Sequence, residues 1–266
     1  MLEACAKYLF EMDGGKKIRP TMVLLVARAT AAHEEREGHG GGTGDEHGIV
    51  PLPSQKRLAE ITEMIHTASL FHDDVIDEAD SRRGVPSINK LYGNKMAILA
   101  GDFLLARASV SLARLRNVEV VELLSTVIEH LVKGEVMQSR PQALLDGGES
   151  GEAALQYYLH KNYYKTGSLM ANSCRAAVLL AGHDERLQEQ AFAYGRHVGL
   201  AFQLVDDVLD FEQSSETLGK PALNDLRQGL ATAPVLLAAN QFPQEIWGLV
   251  KRKFRSEGDV ERVSCV

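Results

Sequence analysis

The sequence predicts an all-α fold, and two observations carry that expectation. Apolar residues recur at three- and four-residue spacing through most of the chain, and no segment shows the period of two that marks a half-buried strand. Over 56–76, Leu58, Ile61, Ile65 and Ala68 form one apolar stripe, the face a helix turns toward a core. Over 120–136, Leu124, Val127, Ile128, Leu131 and Val132 repeat it. The stretches 96–115, 155–164, 168–180 and 185–211 also read as helices. Gly182 suits the position just past a helix end, and Asp184 suits the cap of the helix that follows.

Two stretches break the period. Residues 34–53 are rich in Gly, Glu and His and predict a long, mobile loop between helices. The nearby His33, His39 and His47 match no tight metal-ligand spacing. Residues 139–151 predict a second, shorter polar loop. The helical pattern resumes after each without a change in composition, so the 266 residues are expected to form a single domain.

Composition narrows the function. Hydrophobic residues make up 45% and charged residues 24%, as in an ordinary globular chain with a sizeable core. A net charge of -7 argues against a nucleic-acid partner, which would favour a basic patch. Cys5, Cys174 and Cys265 are too few and too scattered for a disulfide framework or a zinc site. No apolar run approaches the ~18 residues of a membrane span, so none is expected. The first residues carry neither a signal nor a transit pattern.

The chemistry is concentrated in a repeated pattern, Asp73-Asp74-Val75-Ile76-Asp77 and Asp206-Asp207-Val208-Leu209-Asp210. On a helix, residues four apart stack on one face and the neighbouring residue lies about 100° around it. Each motif therefore projects two carboxylates one turn apart with a third beside them, and such a cluster calls for a cation. Hard oxygen donors suit Mg²⁺, which commonly binds a few carboxylates and the phosphates of a substrate. Val75, Ile76, Val208 and Leu209 are expected to keep the flanking faces dry while the aspartates line an internal cavity. Basic residues accompany the motifs: Arg82-Arg83 after the first, Lys220 after the second, and Lys16, Lys17 and Arg19 in GGKKIRP near the start. Together they supply what a site for two diphosphates requires.

With GGKKIRP, EMIHTASLFHDDVIDEADSRRG, KTGSL, GLAFQLVDDVLD and LGKP in this order, nearly the whole chain resembles the trans-type polyprenyl diphosphate synthases. The tract GLATAPVLLAANQFP is similar to the solanesyl and decaprenyl branch that makes ubiquinone or plastoquinone side chains. The resemblance implies the isoprenoid-synthase helical bundle around a central active-site cavity, with the two aspartate motifs on facing helices. It implies that Asp73, Asp74, Asp77, Asp206, Asp207 and Asp210 hold Mg²⁺ on an allylic diphosphate. Lys16, Arg19, His66 and Arg83 would bind isopentenyl diphosphate, and Arg82, Lys165, Thr166, Gln203 and Lys220 the allylic diphosphate. Ionisation of the allylic substrate would leave a carbocation that the double bond of isopentenyl diphosphate attacks, with a proton passing to the released diphosphate. Ala68 and Ser69, in the turn before the first motif, would set the floor of the product pocket. With no aromatic plug there, Phe71 lying beside the motif, a product beyond C20 is expected. The resemblance further implies a homodimer or a heteromer and a mitochondrial or plastid location, with peripheral membrane contact for product release. Members of the family continue past GDVERVSCV, so a shortened C-terminus is expected. A non-catalytic subunit of a heteromeric synthase is the rival reading, and a terpene cyclase, with a different second motif, is disfavoured.

Overall fold

The computed structural model describes residues 15–36, 50–82, 84–139, 151–212 and 223–264. The helices are α1 (Ile18–Arg36), α2 (Pro53–Ile76), α3 (Ile88–Tyr92), α4 (Asn94–Ala113), α5 (Val118–Ser139), α6 (Gly151–Asn162), α7 (Ser168–Leu179), α8 (Glu185–Glu212), α9 (Asn224–Arg227), α10 (Ala233–Gln241), α11 (Pro243–Lys251) and α12 (Asp259–Ser264). A π-helical turn, Tyr163–Gly167, separates α6 from α7. The all-α expectation holds. The one departure among the described residues is a two-residue hairpin, β1 (Ser81–Arg82) and β2 (Val85–Pro86), paired Ser81 to Pro86 and Arg82 to Val85.

Several boundaries move for local reasons. Helix α1 continues to Arg36 because Ala31, Ala32 and the Glu-Glu-Arg that follow His33 are good helix formers, so the expected loop starts later. Its central residues, 37–49, lie outside the described residues, as do His39, His47, Cys5 and Cys265. Helix α2 starts at Pro53, whose fixed φ suits a first helical position. Gly182 has φ 82, and Asp184 Oδ1 accepts the Leu187 N–H at 2.9 Å, as both were expected to do.

The chain divides into two compact units, the first running up to Glu129 together with Leu169–Arg196, the second comprising His130–Ser168 and the chain from His197 on. The core of the first is built on α2. Leu58, Ile61, Ile65 and Ala68 are all buried, as their stripe predicts. Small residues of α4, Ala97 and Ala100, let it pack closely against Ala68 and Phe71. Polar bonds tie α2 to α7: Gln55 Nε2 donates to Ala177 O at 2.8 Å, and the Thr62 and Ser173 hydroxyls meet at 2.9 Å. At Gly195 of α8 a Cβ would stand 2.6 Å from Met170 O, so only glycine allows α7 this close.

In the second unit Tyr158, Leu226, Leu236, Ile246 and Trp247 form a buried cluster from α6, α9, α10 and α11. Arg252 donates to both carboxylate oxygens of Asp259, at 2.7 and 2.6 Å, and so fastens α12 to the end of α11.

One expectation about an apolar face fails, and one helix is more apolar than its uninterrupted runs suggest. Val132 is 61% exposed although Leu124 and Val127, in the same stripe, are buried. Helix α4 contains an 18-residue window of mean hydropathy 1.5, long and apolar enough by composition to cross a membrane. A scan for uninterrupted apolar runs misses it because Asp102 and Arg107 divide the run. A third of that window is buried, while Ile98, Leu99, Phe103 and Val110 are exposed.

Cys174, fully buried in α7, provides a test of this core. Burial pushes its thiol up from 9.0 to about 12. A raised pKa favours the protonated, folded form. The stabilisation is therefore complete below pH 9.0 and is lost as pH rises toward 12. Native chain at pH 8 should resist alkylation at Cys174 by iodoacetamide, and chain in denaturant should react; mass spectrometry of the two samples reads the difference.

Candidate functional site

In the first unit the aspartate motif occupies the last turn of α2. Asp77 caps the helix, its N–H reaching Asp73 O at 2.8 Å. The chain then turns through Glu78, at φ 50, into the β1–β2 hairpin. That reversal brings Arg82 back onto Asp74, only eight residues earlier. Arg82 Nη2 and Nε donate to Asp74 Oδ1 at 2.6 and 2.9 Å, and Nε also lies 3.0 Å from Oδ2. Asn89 Nδ2 bonds Asp74 O at 3.2 Å and Ala79 O at 3.0 Å, which ties α3 to the helix end and the turn that follows it. Asp74 is 1% exposed, whereas Asp73 is half-buried and Asp77 exposed.

Arg19 and His66, assigned by resemblance to one diphosphate, do come together. Arg19 Nη1 lies 3.0 Å from His66 Nε2. A guanidinium can only donate, so Nε2 accepts and a neutral His66 carries its proton on Nδ1. Lys16 is exposed just before α1, and Lys17 has φ 43. Arg83 lies outside the described residues. Ala68 is completely buried, in the same cluster as Phe71, and Ser69 Oγ donates to His66 O at 2.9 Å. His72 extends its ring over Gly101, where a Cβ would stand 2.3 Å from Nε2.

In the second unit the motif on α8 is arranged alike in one respect. Its second aspartate, Asp207, is 2% exposed while Asp206 is exposed. Here the partners carry no charge. Tyr158 donates its hydroxyl to Asp207 Oδ2, Gln203 Nε2 donates to Oδ1 at 3.1 Å, and Ala233 N lies 3.4 Å from Oδ2. Burial, then the bond to Asp207, raises the Tyr158 phenol above its ordinary pKa of 10.0. Asp210 is buried too, and its Oδ2 accepts the Asp225 N–H at 3.1 Å.

The π turn holds Lys165 and Thr166. Lys165 Nζ donates to Glu135 Oε2 at 2.7 Å and Gln138 Oε1 at 2.9 Å. Gly134 lies beneath: a Cβ there would be 2.7 Å from Lys165 Cγ. Thr166 is buried, and Ser168 Oγ meets His130 Nδ1 at 2.7 Å. Lys220 lies outside the described residues.

The six aspartates thus do not form one class. Asp74, Asp207 and Asp210 are turned inward onto donors of the chain, whereas Asp73, Asp77 and Asp206 lie on more accessible sides. Of the flanking apolar residues, Ile76 is 53% and Val208 41% exposed, while Val75 and Leu209 are half-buried. Among the described residues no three His, Cys, Asp or Glu side chains converge as a metal cage. The donor chemistry fits Mg²⁺ nonetheless, because Asp73 and Asp77 present hard oxygens one helical turn apart to an ion that readily keeps water and phosphate ligands. The reading of the sequence missed Tyr158, Gly134, Glu135 and Gln138.

The Asp74–Arg82 pair can be tested directly. Arg82→Ala strands a buried carboxylate and should destabilise the chain by about 3 kcal/mol, the low end for a broken buried pair, because the Arg82 side chain is 26% exposed. Asp74→Asn combined with Arg82→Ala should recover part of that loss. Urea unfolding of the four proteins of this cycle measures the coupling; additive losses would mean that the two side chains act independently.

The polyprenyl synthetase family model matches residues 1–265. A probable mitochondrial hexaprenyl pyrophosphate synthase of Neurospora crassa is 50% identical over 290 residues, covering 98% of this chain and 64% of that protein. Decaprenyl-diphosphate synthase subunit 1 of Schizosaccharomyces pombe is 45% identical over 269 residues, covering 98% of this chain and 71% of that protein. The chain therefore spans about two thirds of the length of these relatives. Among solved structures, a Caulobacter crescentus polyprenyl synthase complexed with calcium and isoprenyl diphosphate matches with a TM-score of 0.75 at 32% identity, over 98% of this chain and 74% of that one.

Proposed function

The chain belongs to the polyprenyl synthetase family, and from that premise we propose that it is a prenyltransferase joining isopentenyl diphosphate to an allylic diphosphate. One observation supports the reading most: in both motifs the second aspartate is buried on donors of the chain while the first is more exposed. A solvated acidic face would need no such arrangement. The name of the Caulobacter relative, which pairs a divalent ion with an isoprenyl diphosphate, points the same way.

Within this reading Asp73 and Asp77 in the first unit, and Asp206 in the second, would each serve as ligands for Mg²⁺. The ion would supply neutralisation of the allylic diphosphate, making it a leaving group. Asp74, fixed by Arg82, and Asp207, fixed by Tyr158 and Gln203, keep their helix segments in register so that the neighbouring aspartates stay outward. Arg19 and His66, with Lys16 and Arg83, hold the isopentenyl diphosphate. The allylic diphosphate falls to Lys165, Thr166, Gln203 and Lys220, with Arg82 contributing through its accessible edge. Breaking the allylic C–O bond and forming the new C–C bond leaves one proton to be lost, which the released diphosphate can take. The chain must keep water away from the cationic carbon.

A long product, for the side chain of a quinone, is part of the proposal. The names of the Neurospora and Schizosaccharomyces relatives agree with it, the former also with a mitochondrial location. Assembly with a second copy or a different subunit is proposed on the word "subunit" in the latter name and on the exposed apolar residues of α4.

Purified chain given labelled isopentenyl diphosphate, farnesyl diphosphate and Mg²⁺ should yield an extractable product beyond C20. No product, alone or with a partner subunit, would refute the enzyme. Ala68→Phe adds a ring where Ala68 is 0% exposed and should shorten the product in chromatographic sizing. An unchanged length in a folded variant would show that Ala68 is not the floor.

A further inference from the structure

We propose that Lys161 is a further diphosphate-binding residue, its ammonium contacting a phosphate oxygen of the allylic substrate beside Lys165. The inference rests on the prenyltransferase reading and deepens it. Lys161 stands at the end of α6, four residues before Lys165 and hence on nearly the same side of the helix.

The two ammonium groups differ in what the chain gives them. Lys165 is already bonded to Glu135 and Gln138, at 2.7 and 2.9 Å. Lys161 lies over the Tyr158 ring, 5.5 Å from its centroid, and among the described residues no acceptor stands within hydrogen-bonding distance. A half-buried cation that lies over a ring face and bonds no acceptor is short of an anion. Tyr158 is the residue that bonds Asp207, so Lys161 sits against the support of the second aspartate motif.

Its electrostatic surroundings agree. Burial is the main influence lowering the Lys161 pKa, and Lys165 adds to it; Asp207, Asp225 and Glu135 act in the opposite direction. A phosphate oxygen would offset both unfavourable influences at once. It would favour the charged amine and relieve its repulsion with Lys165. Three carboxylates nearby favour the ammonium without bonding it, so the position suits an anion that arrives together with its own cation.

The test uses the whole chain and inorganic diphosphate in Mg²⁺ buffer, titrated calorimetrically, with steady-state kinetics in farnesyl diphosphate alongside. Lys161→Met keeps the apolar stem against the Tyr158 ring and removes the charge. It should weaken diphosphate binding by about tenfold, the scale of one charge-assisted hydrogen bond, and raise KM more than it lowers kcat. Lys161→Arg should retain most of the binding. Unchanged binding in Lys161→Met, or Lys161→Arg binding as weakly as Lys161→Met, would overturn the assignment, as would a wild-type chain that binds no diphosphate. Wild-type chain that binds diphosphate but forms no product would count against the prenyltransferase alone, since the titration still decides Lys161.

Discussion

A carboxylate cannot be buried alone, and both ends of this chemistry are organised around that constraint. Removing such an ion from water costs several kcal/mol even after relaxation. The chain meets the cost in two ways. In the first unit a full positive charge is brought to Asp74 by a hairpin so short that Arg82 has little freedom to be elsewhere. In the second unit Asp207 receives a phenol, a carboxamide and a backbone N–H. Neutral donors balance the ion without cancelling it. The charge of Asp207 remains part of the local field and favours the protonated form of Lys161.

Much of this was legible in the sequence. The period of 3.6 located α2 because it buries the one stripe of Leu58, Ile61, Ile65 and Ala68, and the repeat of DDxxD located both motifs because six aspartates at matched spacing have few other uses. Pairing was not legible. That Arg82 meets Asp74 depends on a hairpin whose strands are two residues long, below the length at which alternation can be seen. That Tyr158 meets Asp207 depends on packing between helices 49 residues apart. The apolar spacers Ile76 and Val208 misled for a related reason: Asp74 and Asp207 take buried positions in their turns, and residues two and one further along lie about 200° and 100° around the helix.

Glycines set several of the close approaches that the functional residues need. Gly101 makes room for the His72 ring next to the first motif, Gly134 for the Lys165 stem, and Gly195 for the backbone of α7. In each case the neighbour would otherwise lie under 3.0 Å from a Cβ, so the positions of Lys165 and of the motif helices are fixed by missing atoms as much as by bonds.

The π turn at Tyr163–Gly167 has a consequence for how this segment can vary. A π turn behaves as an α-helix holding one surplus residue, and such turns recur at functional sites. The segment therefore carries a phase as well as a composition. Losing a single residue here would not shorten a loop. It would restore regular winding and leave the flanking segments nearly in phase, since a turn with its surplus residue and a turn without it each close once around the axis. A change of length can therefore be absorbed here, whereas inside α6 or α7 it would swing one flank by about 100° relative to the other.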